Sequence, residues 1–146
     1  MLHNSLEQLT CWRRRKRVQR PSSQMSFIPA VQREINNRQP SDPVRVALEY
    51  LLQNAIGRQN PVPLPTIVAQ LQARGINISE TGFQQTVLAE SRDRDFYIGS
   101  GRRGYFLIDK IADAQGMRDF YETRIRAEQQ NLDNLRRQAR AVGWNI

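Results

Sequence analysis

The sequence predicts a mainly α domain that carries one small β-hairpin and closes with a long C-terminal helix. Three observations point there. Apolar residues recur at helical spacing in separate stretches around Val44–Leu52, Ile67–Leu71 and Phe83–Leu88. Two β-rich runs, Phe96-Tyr97-Ile98 and Tyr105-Phe106-Leu107-Ile108, flank the glycine-rich tip Gly99-Ser100-Gly101-Arg102-Arg103-Gly104. A last helical pattern runs over roughly 112–141. With 146 residues, 39% of them hydrophobic, the chain has the length of one compact domain with extensions, not two domains.

Residues 1–42 mix Ser, Gln, Asn, Pro and Arg with little apolar periodicity, and read as a disordered basic N-terminal tail. Trp12 and Phe27 are its only large aromatic groups with a chance of touching the domain. The run Arg13–Arg17 (RRRKR) reads as a nuclear-import signal, a nucleic-acid-contacting arm or part of an Arg-rich transit peptide. Alternatively, translation starts at Met25.

The domain proper spans 43–108. Asp42 as N-cap and Pro43 at the first helical position open the first helix, with Val44, Ala47, Leu48, Leu51 and Leu52 at helical spacing. The prolines of the 57–65 loop forbid helix there, and Val62 and Leu64 suit a short edge strand. Thr66–Arg74 reads as a second helix stopped by Gly75, and Ser79 caps a third that runs to about Ser91. On that third helix Phe83, Val87, Leu88 and Ser91 share one side, while Gln85, Thr86, Ala89 and Arg92 share the other. The hairpin follows. Asp109 then caps the final helix of the 109–146 segment, in which Gly116 costs about 1 kcal/mol against alanine.

The formal charge is +8, but it is unevenly spread. Residues 1–24 hold six basic and one acidic side chain, whereas 41–146 hold fourteen basic and twelve acidic. The foldable part is therefore close to neutral, and only local basic clusters speak for an anionic partner. Only Lys16 and Lys110 among the 22 basic side chains are lysines, and arginine forks onto phosphate and guanine better than lysine does.

Two helices joined by the turn Leu71-Gln72-Ala73-Arg74-Gly75-Ile76-Asn77-Ile78-Ser79, then a hairpin through Ile98-Gly99-Ser100 and Gly104-Tyr105-Phe106-Leu107-Ile108, resemble the winged helix-turn-helix superfamily over 43–108. The resemblance implies that the third helix reads the major groove of double-stranded DNA and that the hairpin, as wing, touches the backbone or minor groove. On this chain it assigns Thr81, Gln85, Thr86 and Arg92 to the reading face. It assigns Ser100, Arg102 and Arg103 to the wing. Thr66 offers a phosphate its hydroxyl and the amides at a helix start. Glu80, Glu90, Asp93 and Asp95 surround that face and depart from a strongly basic pattern, which argues against uniformly tight non-specific binding.

Several chemistries find no support. The tip matches G-x-G-x-x-G, but strand follows it where a dinucleotide site needs a helix. There is no acid-x-Lys pair, no H-E-x-x-H and no P-loop. One cysteine (Cys11) and one histidine (His3) make neither a disulfide framework nor a Cys/His zinc site. The expectation is therefore a chain without catalytic activity, cofactor or metal. No run approaches the roughly 18 consecutive apolar residues of a membrane span, and residues 1–10 lack the pattern of a secretory signal. A cytoplasmic or nucleoid location is expected, or a nuclear one in a eukaryote.

In the final helix Tyr121, Ile125, Glu128, Leu132, Leu135, Ala139 and Val142 step by four and three residues, a short heptad seam with one charged interruption. Tyr121, Ile125, Leu132, Leu135, Ala139 and Val142 are expected to form a homodimer contact, while Met117 and Phe120 pack back on the domain. Together these readings predict a dimeric, sequence-selective DNA-binding protein, a transcriptional regulator or an accessory factor of replication or a mobile element. The competing expectations are an adaptor that contacts a protein partner and an RNA-binding protein that works through its arginine tail.

Overall fold

The computed structural model describes residues 26–146, and the expectations placed on Trp12, the Arg13–Arg17 run and a start at Met25 lie outside them. The first element is α1 (Ile28–Asn36), in a stretch where the sequence reads as disordered tail; that reading is corrected here. Val31 and Ile35, one helical turn apart, are buried in the domain core, and α1 packs on the helix that follows. Pro29 falls in the first turn, where its missing N–H is no loss. Ile28, Val31 and Ile35 stand at helical spacing, but the pattern is short and lies among prolines and polar residues, and it holds as a helix where the neighbouring helix covers it.

α2 (Pro43–Asn54) opens as expected, with Asp42 Oδ1 accepting the Val44 N–H at 2.8 Å. It sends Val44, Val46, Ala47, Leu48 and Leu51 into the core. α3 (Leu64–Ala73) adds Ile67, Val68 and Leu71, and Gly75 at φ +82° turns the chain out of it. Only glycine adopts that left-handed conformation without strain. Ser79 Oγ accepts the Gly82 N–H at 3.0 Å and starts the next helical segment. That segment is not uniform. It runs as α4 (Glu80–Phe83), a π-helical turn (Gln84–Leu88) and α5 (Ala89–Asp93). Phe83, Val87, Leu88 and Ser91 are buried, the inward side that the sequence predicts.

The hairpin pairs β1 (Ile98–Gly101) with β2 (Gly104–Leu107) in antiparallel register, Ile98 opposite Leu107 and Ser100 opposite Tyr105. The 55–62 loop borders the far edge of β2. Ile56 bridges Leu107 and Val62 bridges Tyr105, so Val62 plays the edge role expected of it. Ile98, Ser100, Tyr105 and Leu107 project to one side of the hairpin, and Phe83 meets Tyr105 edge-on at 5.8 Å between ring centres. Phe106 projects to the other side and lies over Gly99, where a Cβ would come within 2.6 Å of its ring.

α6 (Ile111–Ala141) is 31 residues long. Asp109 does not cap it. The capping carboxylate is Asp113, which reaches back to the N–H groups of Asp109 (3.1 Å) and Lys110 (3.0 Å), while Asp109 accepts from Ser26 Oγ at 2.8 Å. Only the first third of α6 touches the domain: Met117 is buried in the core, with Ala114 and Tyr121 half-buried against it. From Glu122 onward every residue but Asn134 and Ala139 is exposed, so the remaining helical turns project as an arm of about 30 Å at 1.5 Å per residue. Among the described residues no helix is long and apolar enough to cross a membrane.

Candidate nucleic-acid interface

The helical segment from Glu80 to Asp93 presents Thr81, Gln85, Thr86 and Arg92 as exposed side chains, opposite the buried Phe83–Ser91 side. Their availability differs. Thr86 Oγ1 donates to the Gly82 carbonyl at 2.6 Å, one turn back, in the region where the backbone widens into the π turn. Its hydroxyl hydrogen is thus committed internally, and the methyl group is what it offers outward. Gln84, not Gln85, turns to the hairpin, its Nε2 donating to Tyr105 Oη at 3.2 Å. Gln85 makes no hydrogen bond among the described residues and keeps its whole amide for a partner.

Arg92 stands near the Tyr97 phenol. That phenol is pushed up to about 12 by burial and by its hydrogen bond with Tyr121, and Arg92 acts in the opposite direction. The Tyr97–Tyr121 hydroxyl pair ties the chain just ahead of β1 to α6. Tyr121 is therefore an intramolecular packing residue, which removes it from the expected dimer seam. Ala139 leaves the seam too. It is buried, and its carbonyl accepts from Val142 (3.2 Å) and Trp144 (2.9 Å) as the chain turns back at Gly143. Ile125, Leu132, Leu135 and Val142 remain exposed along the arm. Phe120, expected to pack on the domain, is 48% exposed.

At the hairpin tip Arg102 and Arg103 are exposed and Ser100 is half-buried. Neither arginine forms an ion pair among the described residues. Both line a cleft of about 230 Å³ whose opposite wall is α6. Thr66 is exposed on α3, but the helix start gives less than expected. The Thr66 and Ile67 N–H groups both donate to Pro63 O (3.1 and 3.2 Å), and Pro65 has no N–H, so the threonine contributes its hydroxyl alone.

The acidic neighbours of the reading face are not all uncompensated. Glu90 accepts from Arg38 Nη2 and lies 3.7 Å from Arg94 Nε. Arg38 also donates to Glu34 (2.7 Å) and Asp42 (3.3 Å) and lies over the Phe96 ring at 5.4 Å. Burial works against the Arg38 charge, but the hydrogen bonds to Glu90 and Glu34 and the field of Asp42 override it and hold its proton more tightly than in a free arginine. This hub, missed in the sequence, fastens α1 and the following loop to α5. The four-residue spacings of Glu34–Arg38, Arg38–Asp42 and Glu90–Arg94 were its visible signs.

Arg58 was missed as well. It lines the tip cleft, and its guanidinium lies where a Cβ on residue 116 would be. The glycine in α6 was the available signal: a costly residue in a helix marks a close approach by something else. Among the described residues no group of three His, Cys, Asp or Glu side chains is placed to hold a metal ion. Comparison of the chain with family models, with curated proteins and with solved structures gave no match.

Proposed function

We propose that the chain is a winged-helix protein that binds double-stranded DNA with sequence selectivity, with the segment from Glu80 to Asp93 as reading helix and the 98–107 hairpin as wing. The observation that carries this reading is the contrast between the two sides of the reading segment. Phe83, Val87, Leu88 and Ser91 are buried, while Thr81, Gln85, Thr86 and Arg92 face solvent, and Arg102 and Arg103 extend from a glycine-flanked tip with no ion-pair partner among the described residues. Gln85 has the amide geometry to pair with adenine N6 and N7, and Arg92 that to reach a guanine or a phosphate. Arg102 and Arg103 would hold the backbone, aided by Ser100 and the Thr66 hydroxyl. Neutralisation of Glu90 by Arg38 removes one of the four acidic objections to an approaching duplex. A dimer through Ile125, Leu132, Leu135 and Val142 would set two reading segments on a two-fold site, and a transcriptional regulator or an accessory factor of replication or a mobile element fits that design.

The test is a gel shift of the full chain on mixed duplexes at low and moderate salt. Replacing Arg102 and Arg103 with alanine should weaken binding to every duplex and lower the salt slope by about 1–2. Gln85→Ala should cost about 1–3 kcal/mol on the preferred site and much less on random DNA. An equal loss on both would remove base reading. The exposed apolar stripe at Ile125, Leu132 and Leu135, on a domain of near-balanced charge, favours a second reading, that of a protein adaptor. That reading expects no duplex shift at either salt concentration.

A further inference from the structure

The cleft between the hairpin tip and α6 has features that reading a duplex does not require. Arg58, Arg102 and Arg103 line it against one carboxylate, Asp113. That carboxylate is already engaged by the N–H groups of Arg58 (3.1 Å), Asp109 (3.1 Å) and Lys110 (3.0 Å). The lining therefore carries three positive charges against one negative, and none of the three arginines has an ion-pair partner among the described residues.

Arg58 is held in place from two sides. Its backbone is bonded to Asp113, and its side chain crosses α6 at Gly116, where any Cβ would collide with the guanidinium. The glycine thus opens the helix surface for a cation. Below the arginines the cleft is apolar: Phe106 and Met117 are buried, and Phe120 stands 48% exposed at its wall.

We infer that this cleft binds a nucleotide, its phosphate on Arg58 and the tip arginines and its base on Phe120. Guanidinium forks match phosphate oxygens, and an exposed aromatic ring offers any base a stacking face. Inorganic phosphate would leave the aromatic wall unused, and a nucleoside would leave the arginines unused. The same chemistry comes from two sources, a free mononucleotide or an unpaired nucleotide of a strand.

Calorimetric titration of the full chain with AMP, inorganic phosphate and adenosine tests the site. AMP is expected to bind about tenfold or more tightly than either fragment. Arg58→Gln should weaken AMP by about tenfold, since it removes a charge but keeps the backbone bond to Asp113. Phe120→Ala should bring AMP down to the level of phosphate and leave phosphate itself unchanged. Both side chains are exposed, and a far-UV spectrum like that of the parent confirms that each variant is folded. A short oligothymidylate that displaces AMP, with the same dependence on Arg58 and Phe120, assigns the site to a strand; one that does not compete assigns it to a free nucleotide. AMP binding no tighter than phosphate, or AMP binding untouched by both substitutions, overturns the inference. Neither Arg58 nor Phe120 belongs to the proposed duplex contact, so a failure here leaves the Gln85 experiment standing, and the reverse.

Discussion

Asp113 joins parts of the chain that lie far apart in sequence. Its two oxygens accept N–H groups from Asp109 and Lys110 at the start of α6 and from Arg58, 55 residues earlier. Burial alone would raise its pKa, but these three backbone donors prevail and hold it below the usual carboxylate value of 3.8. A carboxylate with a lowered folded-state pKa stabilises the fold above its unfolded value, and that contribution fades as pH falls through the folded one. Asp113→Ala is expected to cost about 1–3 kcal/mol at neutral pH, because buried donors lose their acceptor. Urea denaturation should show that deficit narrowing as pH falls below the usual carboxylate range, where the parent also loses the charge. Glycines at the hairpin tip give a second residue-scale prediction. Gly104 has φ +137°, and a Cβ there would strike the Val62 carbonyl, while Gly101 has open space around it. Thermal melting should find Gly104→Ala destabilised by more than about 2 kcal/mol and Gly101→Ala nearly unchanged.

Among the elements, α1 and the Glu80–Asp93 segment differ most from the sequence expectation. α1 is anchored by Val31 and Ile35 and by Arg38, whose side chain is 14% exposed and reaches Glu34, Asp42 and Glu90. Arg38→Ala removes the partner shared by three carboxylates, leaving Glu34 and Glu90 only Arg94 at 3.8 and 3.7 Å among the described residues, and uncovers Phe96. It should lower stability by about 1–3 kcal/mol in urea denaturation, and the loss should shrink in high salt. A loss independent of salt would assign the role of Arg38 to packing on Phe96 alone. In the reading segment the π turn could not be read from the apolar pattern, because Val87 and Leu88 are both buried and a four- or five-residue step from Phe83 reaches one or the other. The expectation of an outward Gln85 and Thr86 survived that change. What altered is chemistry: the Thr86 hydroxyl is spent on Gly82, leaving a methyl group to the solvent side.

The molecule as a whole pairs a packed domain with an exposed helical arm. Ile125, Leu132 and Leu135 are 66%, 38% and 57% exposed, an exposed stripe along the arm. If a second copy covers it, sedimentation equilibrium should show the parent as a dimer and the Leu132→Asp, Leu135→Asp double variant as a monomer, since a carboxylate in an apolar seam must be desolvated. A monomeric parent at working concentration would remove the dimer from the proposed function without touching the reading face. Of the six apolar positions expected to meet a second copy, Ile125, Leu132, Leu135 and Val142 are exposed. Tyr121 bonds Tyr97 and Ala139 is buried in its own chain, and heptad spacing cannot tell a residue that faces a partner from one that faces its own domain.

By itself the sequence determined the order of the elements from residue 43 onward, their inward sides and several of their local ends: Asp42 and Ser79 as caps and Gly75 as a left-handed stop. These rest on contacts a few residues apart, which spacing and residue type record directly. Tertiary structure alone decided that Asp113 replaces Asp109 as the cap of α6, that Arg38 quenches Glu90, and that Arg58 lines one cleft with the tip arginines over Gly116. Except for the choice of Asp113, each of these depends on groups dozens of residues apart. Their meeting is set by how apolar surfaces dock, and no local period in the chain carries that information.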